Sequence, residues 1–293
     1  MPHEQATDAR WYAAARLLSI VCAEPGITRA AAAQRMGIGS GGAAELVARM
    51  RRLHLLDEAP APVTGRGRPT TMLVAHPHGP LVVAVDIRAR DWRIAVAGVD
   101  GAPVVIAEGG HAGEQLSSVL ADIADAIRDG YRKYGARIVA VAVSVAGTVS
   151  GITLGQFTSR GWTDVDLSVL TAPIPQRAGV KVLLGNDATL AGLAEARTGA
   201  ARGAGTALHL MVAVGIGGTL VVNGEPVTGA QGAAGEYGHI PFGDSALACP
   251  CGARGCWDLT VDGRALARHR GEPPPEDPVG YAHALLAQPG RDR

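Results

Sequence analysis

Aromatic side chains are scarce in this chain. Phenylalanine occurs twice among 293 residues, and all aromatics together make up 4%. A core must therefore come from aliphatic side chains, which the 47% apolar content can supply. Lysine is nearly absent, present only as Lys133 and Lys181, so arginine is the working cation. That bias, with the many glycines and alanines, fits a GC-rich genome and carries no mechanism. Net charge is lacking as well, because 27 basic residues offset 27 acidic ones. No overall field would draw the chain to nucleic acid or to an anionic membrane, so DNA binding would need a local patch. No apolar run reaches the length of a membrane span. The first ten residues, MPHEQATDAR, lack a basic stretch followed by an apolar one, and no signal peptide is expected. The expected compartment is the cytoplasm, where thiols stay reduced. The length exceeds one average domain, so two or three units are expected.

Only four cysteines are present, and three of them fall in CPCGARGC, residues 249–256. His239 lies ten residues upstream of Cys249, with Cys251 and Cys256 following. Thiolates and imidazole are favoured zinc ligands, and three Cys with one His complete a tetrahedron. Gly252 and Gly255 permit the tight reversal that lets a short loop wrap an ion. The alternatives are a Cys249–Cys256 disulfide, which a reducing compartment opposes, and three unrelated thiols, which clustering between glycines opposes. Cys22 sits in an apolar helical pattern and reads as a core thiol.

The flanking residues sharpen this. The stretch GEYGHIPFGDSALACPCGARGCWD, 235–258, resembles the signature of the ROK family of repressors, open reading frames and sugar kinases. That signature is G-E-x-G-H followed by C-x-C-G-x-x-G-C-x-E. The resemblance implies a structural Zn2+ held by His239, Cys249, Cys251 and Cys256 beside a sugar pocket. Asp258 departs from it, standing where the family has the longer Glu. The resemblance also implies an α/β fold of actin-like, ribonuclease H-like architecture, with two lobes around a cleft.

Upstream, RWYAAARLLSIVCAE (10–24) has helical periodicity and ends near Pro25-Gly26. Thr28 can cap a second helix that Gly37 ends, and Ser40 can cap a third. Three short helices, then DEAPAPVTGRGRPTTMLVA with its Gly-Arg-Gly-Arg-Pro tip, read as a winged helix-turn-helix over residues 1–75. This segment holds nine Arg against six acids. Ser40, Arg49, Arg52, Arg66 and Arg68 are the candidate DNA contacts, with Arg51 in the same patch. Arginine on phosphate gives sequence-blind affinity, and arginine in a narrow minor groove gains from its negative potential. Gly41, Gly42, Ala43 and Ala44 cannot hydrogen-bond base edges, so specificity would rest on the wing and groove shape. The alternative is a dimerisation or capping unit followed by a solvated linker. The segment also resembles the winged helix ahead of the domain in the family's repressor branch.

HPHGP, 76–80, reads as the linker to a family domain over 81–293. LVVAVDI, WRIAVAGV and APVVIAE predict a meander of strands, and 114–134 an amphipathic helix. RIVAVAVSVAG and KVLLGND predict buried strands, the second leading into a helix near 188–198. GTALHLMVAVGIGGTLVVNGEPV predicts two long strands around a glycine turn. The pattern is that of a mixed α/β sheet.

Asn186 and Asp187 in GNDATLAGLAEA resemble the family's Asn-Asp-Ala-Asn segment, which implies a sugar contact for Asn186 and the catalytic-base position for Asp187. Asp187 reads equally as a helix N-cap. The resemblance implies sugar contacts for Ser159, Glu236, His239 and Asp258 too, with Ser159 where an Asn is usual. Trp162 reads equally as sugar wall and as core. Family kinases open with Asp-x-Gly-Gly-Thr, whereas this chain has Asp86-Ile87-Arg88-Ala89-Arg90. Arginine cannot restore the clearance glycine gives a phosphate. The expectation is therefore loss of ATP binding and no enzymatic activity. About forty residues follow the zinc loop, where the resemblance implies several more helices and a strand. A truncated second lobe with exposed core surface is expected, and with it dimer contacts, poor solubility or a partner.

Together these readings predict a cytoplasmic, sugar-responsive repressor. It would bind double-stranded operator DNA as a homodimer or higher oligomer, with a sugar or sugar phosphate as effector and no membrane. The alternatives are an ATP-dependent sugar kinase with an N-terminal extension, and a paralogue that binds neither sugar nor DNA.

Overall fold

The computed structural model describes residues 2–61, 71–111, 114–157, 160–175, 179–230 and 232–287. Three helices come first: α1 (Pro2–Ala23), α2 (Arg29–Met36) and α3 (Ser40–Arg52). Strands β1 (Leu56–Pro60) and β2 (Thr71–Ala75) then pair antiparallel, Leu56 opposite Ala75. Leu17, Val21, Met36, Val47, Met50, Leu56 and Leu73 bury a small aliphatic core between them. The Thr28 hydroxyl accepts from the Ala31 amide and starts α2. Gly37, at φ +68°, ends it with its amide on the Ala33 and Gln34 carbonyls. The third helix differs from expectation. Gly39 is its N-cap and Ser40 its first helical residue, so the Ser40 hydroxyl caps nothing.

This head rests on the turn that joins two strands of the next unit. Cys22 Sγ donates to the Val99 carbonyl at 2.7 Å, and the Ala75 amide donates to Asp100 at 3.2 Å. The apolar helix does half-bury Cys22, but its thiol serves this junction.

The next strands are β3 (Leu81–Ile87), β4 (Asp91–Ala97), β5 (Pro103–Gly110) and β6 (Ile138–Val145), with α4 (Leu116–Tyr134) between the last two. A small antiparallel sheet follows, formed by β7 (Thr148–Ser150), β8 (Thr153–Phe157) and β9 (Trp162–Asp166). Then come β10 (Lys181–Asn186) and α5 (Asp187–Arg197). The main sheet is mixed, in the order β10-β6-β3-β4-β5. Strands β10, β6 and β3 run parallel, and the meander β3-β4-β5 is antiparallel. Helix α4 lays Val119, Ile123 and Ile127, spaced four apart, on this sheet. Phe157, Leu154, Leu167 and Leu170 close the same core. Strand β10 is not the buried strand its composition predicts. It forms the sheet edge, and Leu183 stays 60% exposed.

The second lobe is smaller. Strands β11 (Thr206–Val212), β12 (Ile216–Val222) and β13 (Glu225–Pro226) form an antiparallel sheet covered on one face by α5. A Cβ at Gly192 of α5 would fall 2.1 Å from the Thr219 methyl, so glycine sets the close approach of helix to sheet. After the cysteine loop come α6 (Asp258–Val261), α7 (Gly263–His269) and α8 (Pro278–Leu286). Among the described residues, no helix is long and apolar enough to cross a membrane.

Candidate functional site

A cavity of about 880 Å³ opens where three parallel strands end. The turn after β3 brings Arg88 and Asp91, the turn after β6 brings Ala146 and Gly147, and the end of β10 brings Asn186 and Asp187. Carboxyl ends of parallel strands are where α/β sheets place ligands. The opposite wall, from the second lobe, carries Gly215, Glu236, His239 and Asp258.

Asn186 is the N-cap of α5, its Oδ1 accepting from the Thr189 amide at 2.9 Å. Its Nδ2 donates to the Gly147 carbonyl at 3.1 Å, leaving one N–H for a ligand. With the cap supplied by Asn186, the carboxylate of Asp187 is free to face the cavity. Burial pushes its pKa up to about 6, assisted by the charges of Asp86 and Glu236 and opposed by the Ala188 amide, which donates at 2.8 Å. A carboxylate tuned to that range suits proton abstraction from a hydroxyl near neutral pH. Glu236 is raised too, by burial first and Asp258 next, against the nearby His239. Asp258 is not free: its Oδ1 accepts from the Ile216 amide at 2.5 Å. Gly215 and Gly238 crowd that carboxylate, a Cβ on Gly238 falling 2.0 Å from it.

The four candidate metal ligands converge. One donor atom each from His239, Cys249, Cys251 and Cys256 lies within 4.8 Å of the others. The Cys251 and Cys256 sulfurs are 3.7 Å apart, and Cys249 Sγ is 3.8 Å from His239 Nδ1. Zinc–sulfur bonds of the usual length place tetrahedral sulfurs about 3.8 Å apart, so the residues fit such an ion. Gly252 and Gly255 take φ +93° and +67°, which gives the loop its reversal. The Gly243 amide on the Gly255 carbonyl and the Cys249 amide on the Ala253 carbonyl hold it shut. His239 turns its other nitrogen, Nε2, toward Glu236 at 3.6 Å. All four cysteines are free thiols.

Other expected residues lie elsewhere. Ser159, Arg66 and Arg68 fall outside the described residues. Arg49 stacks 4.9 Å over Trp11, Arg51 pairs with Asp57 at 2.8 Å, and Arg52 and Ser40 are exposed. Trp162 is buried against Phe157, edge-on at 5.3 Å, and does not line the cavity. It is core. Sequence reasoning missed Arg264, whose Nη2 donates to the Val214 carbonyl at 2.8 Å, and Asp277 and His283, which bring α8 to the cavity rim. No local motif marks them, because folding alone brings them there.

The ROK family model matches residues 82–284, about two thirds of the chain. The chain belongs to the ROK family. It is similar to the glucokinase of Streptomyces coelicolor, 31% identical over 137 residues, covering 47% of this chain and 43% of that enzyme. It is similar to the xylose repressor of Bacillus subtilis, 28% identical over 132 residues, 45% of this chain and 34% of the repressor. The chain thus spans less than half the length of the curated relatives it matches. A ROK family transcriptional regulator, homologous to the E. coli MLC protein, shares its fold with a TM-score of 0.61 at 20% identity. That likeness covers 94% of this ROK chain and 68% of the regulator. The glucokinase relationship corrects one expectation. Arg88, Ala89 and Arg90 suggest the loss of an enzyme, but the relatives named glucokinase, kanosamine kinase and N-acetyl-D-glucosamine kinase point to enzymes of sugar phosphorylation. The cavity agrees with that correction, since the carboxylate of Asp187 lines it whatever residues stand at 88–90.

Proposed function

We propose that this ROK protein is a sugar-responsive transcriptional regulator, with a winged-helix head that binds DNA and a zinc-braced cleft that binds a sugar. The observation that carries the reading is the junction. Three helices and a hairpin sit on the β4–β5 turn of the family domain through Cys22–Val99 and Ala75–Asp100. A sugar bridging the two cavity walls would favour one lobe arrangement, and that preference is what a regulator transmits to its head. Similarity to the xylose repressor supports the same reading. Zinc, held by His239 Nδ1 and the three thiolates, would brace the loop that presents Glu236 and leave Nε2 to orient that carboxylate. Operator binding would be as a dimer on a two-fold site, with Arg52 on phosphate and Arg66 and Arg68 in the minor groove. The test is a mobility shift with DNA from upstream of the gene, with and without a panel of hexoses and pentoses. Binding that weakens in Arg52→Ala and Arg66→Ala and responds to one sugar is the expected result. No shift under any condition would overturn it.

A second reading is favoured by the place of Asp187, whose largely buried carboxylate lines the cavity and is pushed by that burial up to about 6. Phosphoryl transfer needs a carboxylate to take the proton of the attacking hydroxyl. Similarity to glucokinase supports it. Nucleotide-dependent phosphorylation of glucose that Asp187→Asn abolishes would establish it, in a protein that also binds DNA or in one that does not.

A further inference from the structure

His111 follows β5 and is fully buried. Its Nε2 lies 2.7 Å from the Arg88 carbonyl and 3.1 Å from the Asp91 carbonyl. Both partners are acceptors, so Nε2 carries the proton and donates to both. The His111 amide donates to the Arg90 carbonyl at 2.9 Å. One residue thereby holds Arg88 and Arg90 of the turn between β3 and β4, and Asp91, which opens β4. Its other contacts lead away from that turn. The His111 carbonyl accepts from Arg160 Nη2 at 2.8 Å, and the imidazole lies 5.5 Å from the Trp162 ring, with the Arg160 guanidinium 5.2 Å over the same ring. Trp162 opens β9 and packs on Phe157 of β8, whose neighbour Gln156 lines the cavity with Thr148 of β7. The turn itself presents Arg88 to the cavity and sends Arg90 to the second lobe, where Nη1 donates to the Glu276 carbonyl at 2.6 Å.

Two further atoms mark the spot. His111 Nδ1 and Arg160 Nε are buried with no hydrogen-bond partner among the described residues. Orphaned buried polar atoms are uncommon because each forfeits its hydration. A phenylalanine would fill the same space without that penalty, so the polar ring is kept for the bonds its other nitrogen makes.

We propose that His111 is a positioning residue that couples the β7–β9 side of the cleft to the turn carrying Arg88 and Arg90. A ligand seated against Gln156 and Thr148 then also sets the turn that reaches the second lobe. That last clause rests on the sugar-binding reading; the mechanical coupling does not.

Hydrogen exchange on the full chain tests the coupling. His111→Phe keeps the bulk and removes the donor, so exchange of the Arg88–Asp91 amides should rise about tenfold, the size of one net hydrogen bond. His111→Gln keeps a donor and should hold exchange near wild type. Arg160→Gln cuts the link from the other side and should loosen the same Arg88–Asp91 stretch while leaving the rest of β4 protected. It also serves if His111→Phe does not fold. Unchanged exchange at the turn in His111→Phe, or in Arg160→Gln, overturns the proposal. Calorimetry with glucose and xylose forms the second arm: His111→Phe should weaken sugar binding about tenfold and His111→Gln should restore it. If wild-type protein binds neither sugar while exchange responds as stated, the sugar reading fails and the coupling stands.

Discussion

The two lobes around the cavity are held by different physics. The first is held by aliphatic burial: one face of its sheet lies under α4, with the Phe157–Trp162 pair closing the same core, while Ala84 and Arg93 on the other face stay exposed. The second also covers one face of its sheet, but with a thinner core. On β11, alternate residues Leu208, Leu210 and Val212 remain 57%, 42% and 58% exposed. Its order comes instead from glycines that permit close approach, from Asp258 gripping the Ile216 amide, and from a loop that gathers four candidate metal ligands. Burial is non-directional and forgiving of composition, so the first lobe tolerates a chain poor in aromatics. A ligand cluster is local and depends on each member, so the second lobe should fail abruptly when one is lost.

The largest effect should come from that cluster. Cys256→Ser, or a strong chelator, should remove one bound metal per chain. Metal-binding energy is folding energy in such loops, so stability should fall by about 5 kcal/mol or more. Exchange should rise in the second lobe before the first. Metal analysis with thermal melting checks this, and an unchanged melt without metal would break the contrast between lobes. Next comes the first-lobe core. Phe157→Ala should cost about 3–5 kcal/mol, since it empties a fully enclosed site and strips Trp162 of its partner. Denaturant titration gives the value, and a loss under about 1 kcal/mol would show that this core is looser than its burial implies.

Asp187 lies between the lobes, and its effect is smaller and pH-dependent. Its folded pKa, about 6, stands above the ordinary carboxylate value. The folded chain therefore holds a proton that the unfolded chain releases. The stability this contributes is full below about pH 4 and is lost as pH rises through 6. Asp187→Asn should thus leave stability unchanged at pH 4 and raise it by roughly 2 kcal/mol at pH 8. Melting curves across that range decide it, and a gain independent of pH would point to packing instead. The smallest effect is expected on the open face of β11. Leu208→Ser should change stability by under about 0.5 kcal/mol while improving solubility. A large loss would mean that the face is covered in solution.

How much of this could be read from residue order follows the same divide. The Cys3His cluster was legible because its four side chains fall within 18 residues, 239–256, and the glycines that shape the loop lie among them. The strands of the first lobe were legible from β-branched runs and α4 from its apolar spacing. Strand β10 was misjudged because a central and an edge strand share one composition, and only the neighbours a strand finds distinguish them. Ser40 was assigned a cap that Gly39 takes, since two adjacent residues both suited to that position are separated by backbone geometry alone. The reading of Arg88, Ala89 and Arg90 as the end of enzymatic chemistry failed for a related reason. It let that loop outweigh the carboxylate of Asp187, which the fold sets on the same wall of the cavity.

Residue order by itself determined the family signature, the clustering of the candidate metal ligands and the alternation of strands and helices, because each is written within a few turns of chain. Only the tertiary structure decided that Asn186 caps α5 and frees Asp187. It also decided that Asp86 and Glu236 raise that carboxylate, and that His111 pins a turn to a tryptophan on another sheet. Those relations join groups from distant parts of the chain, and their energies depend on separation and burial, which exist only once the chain has folded.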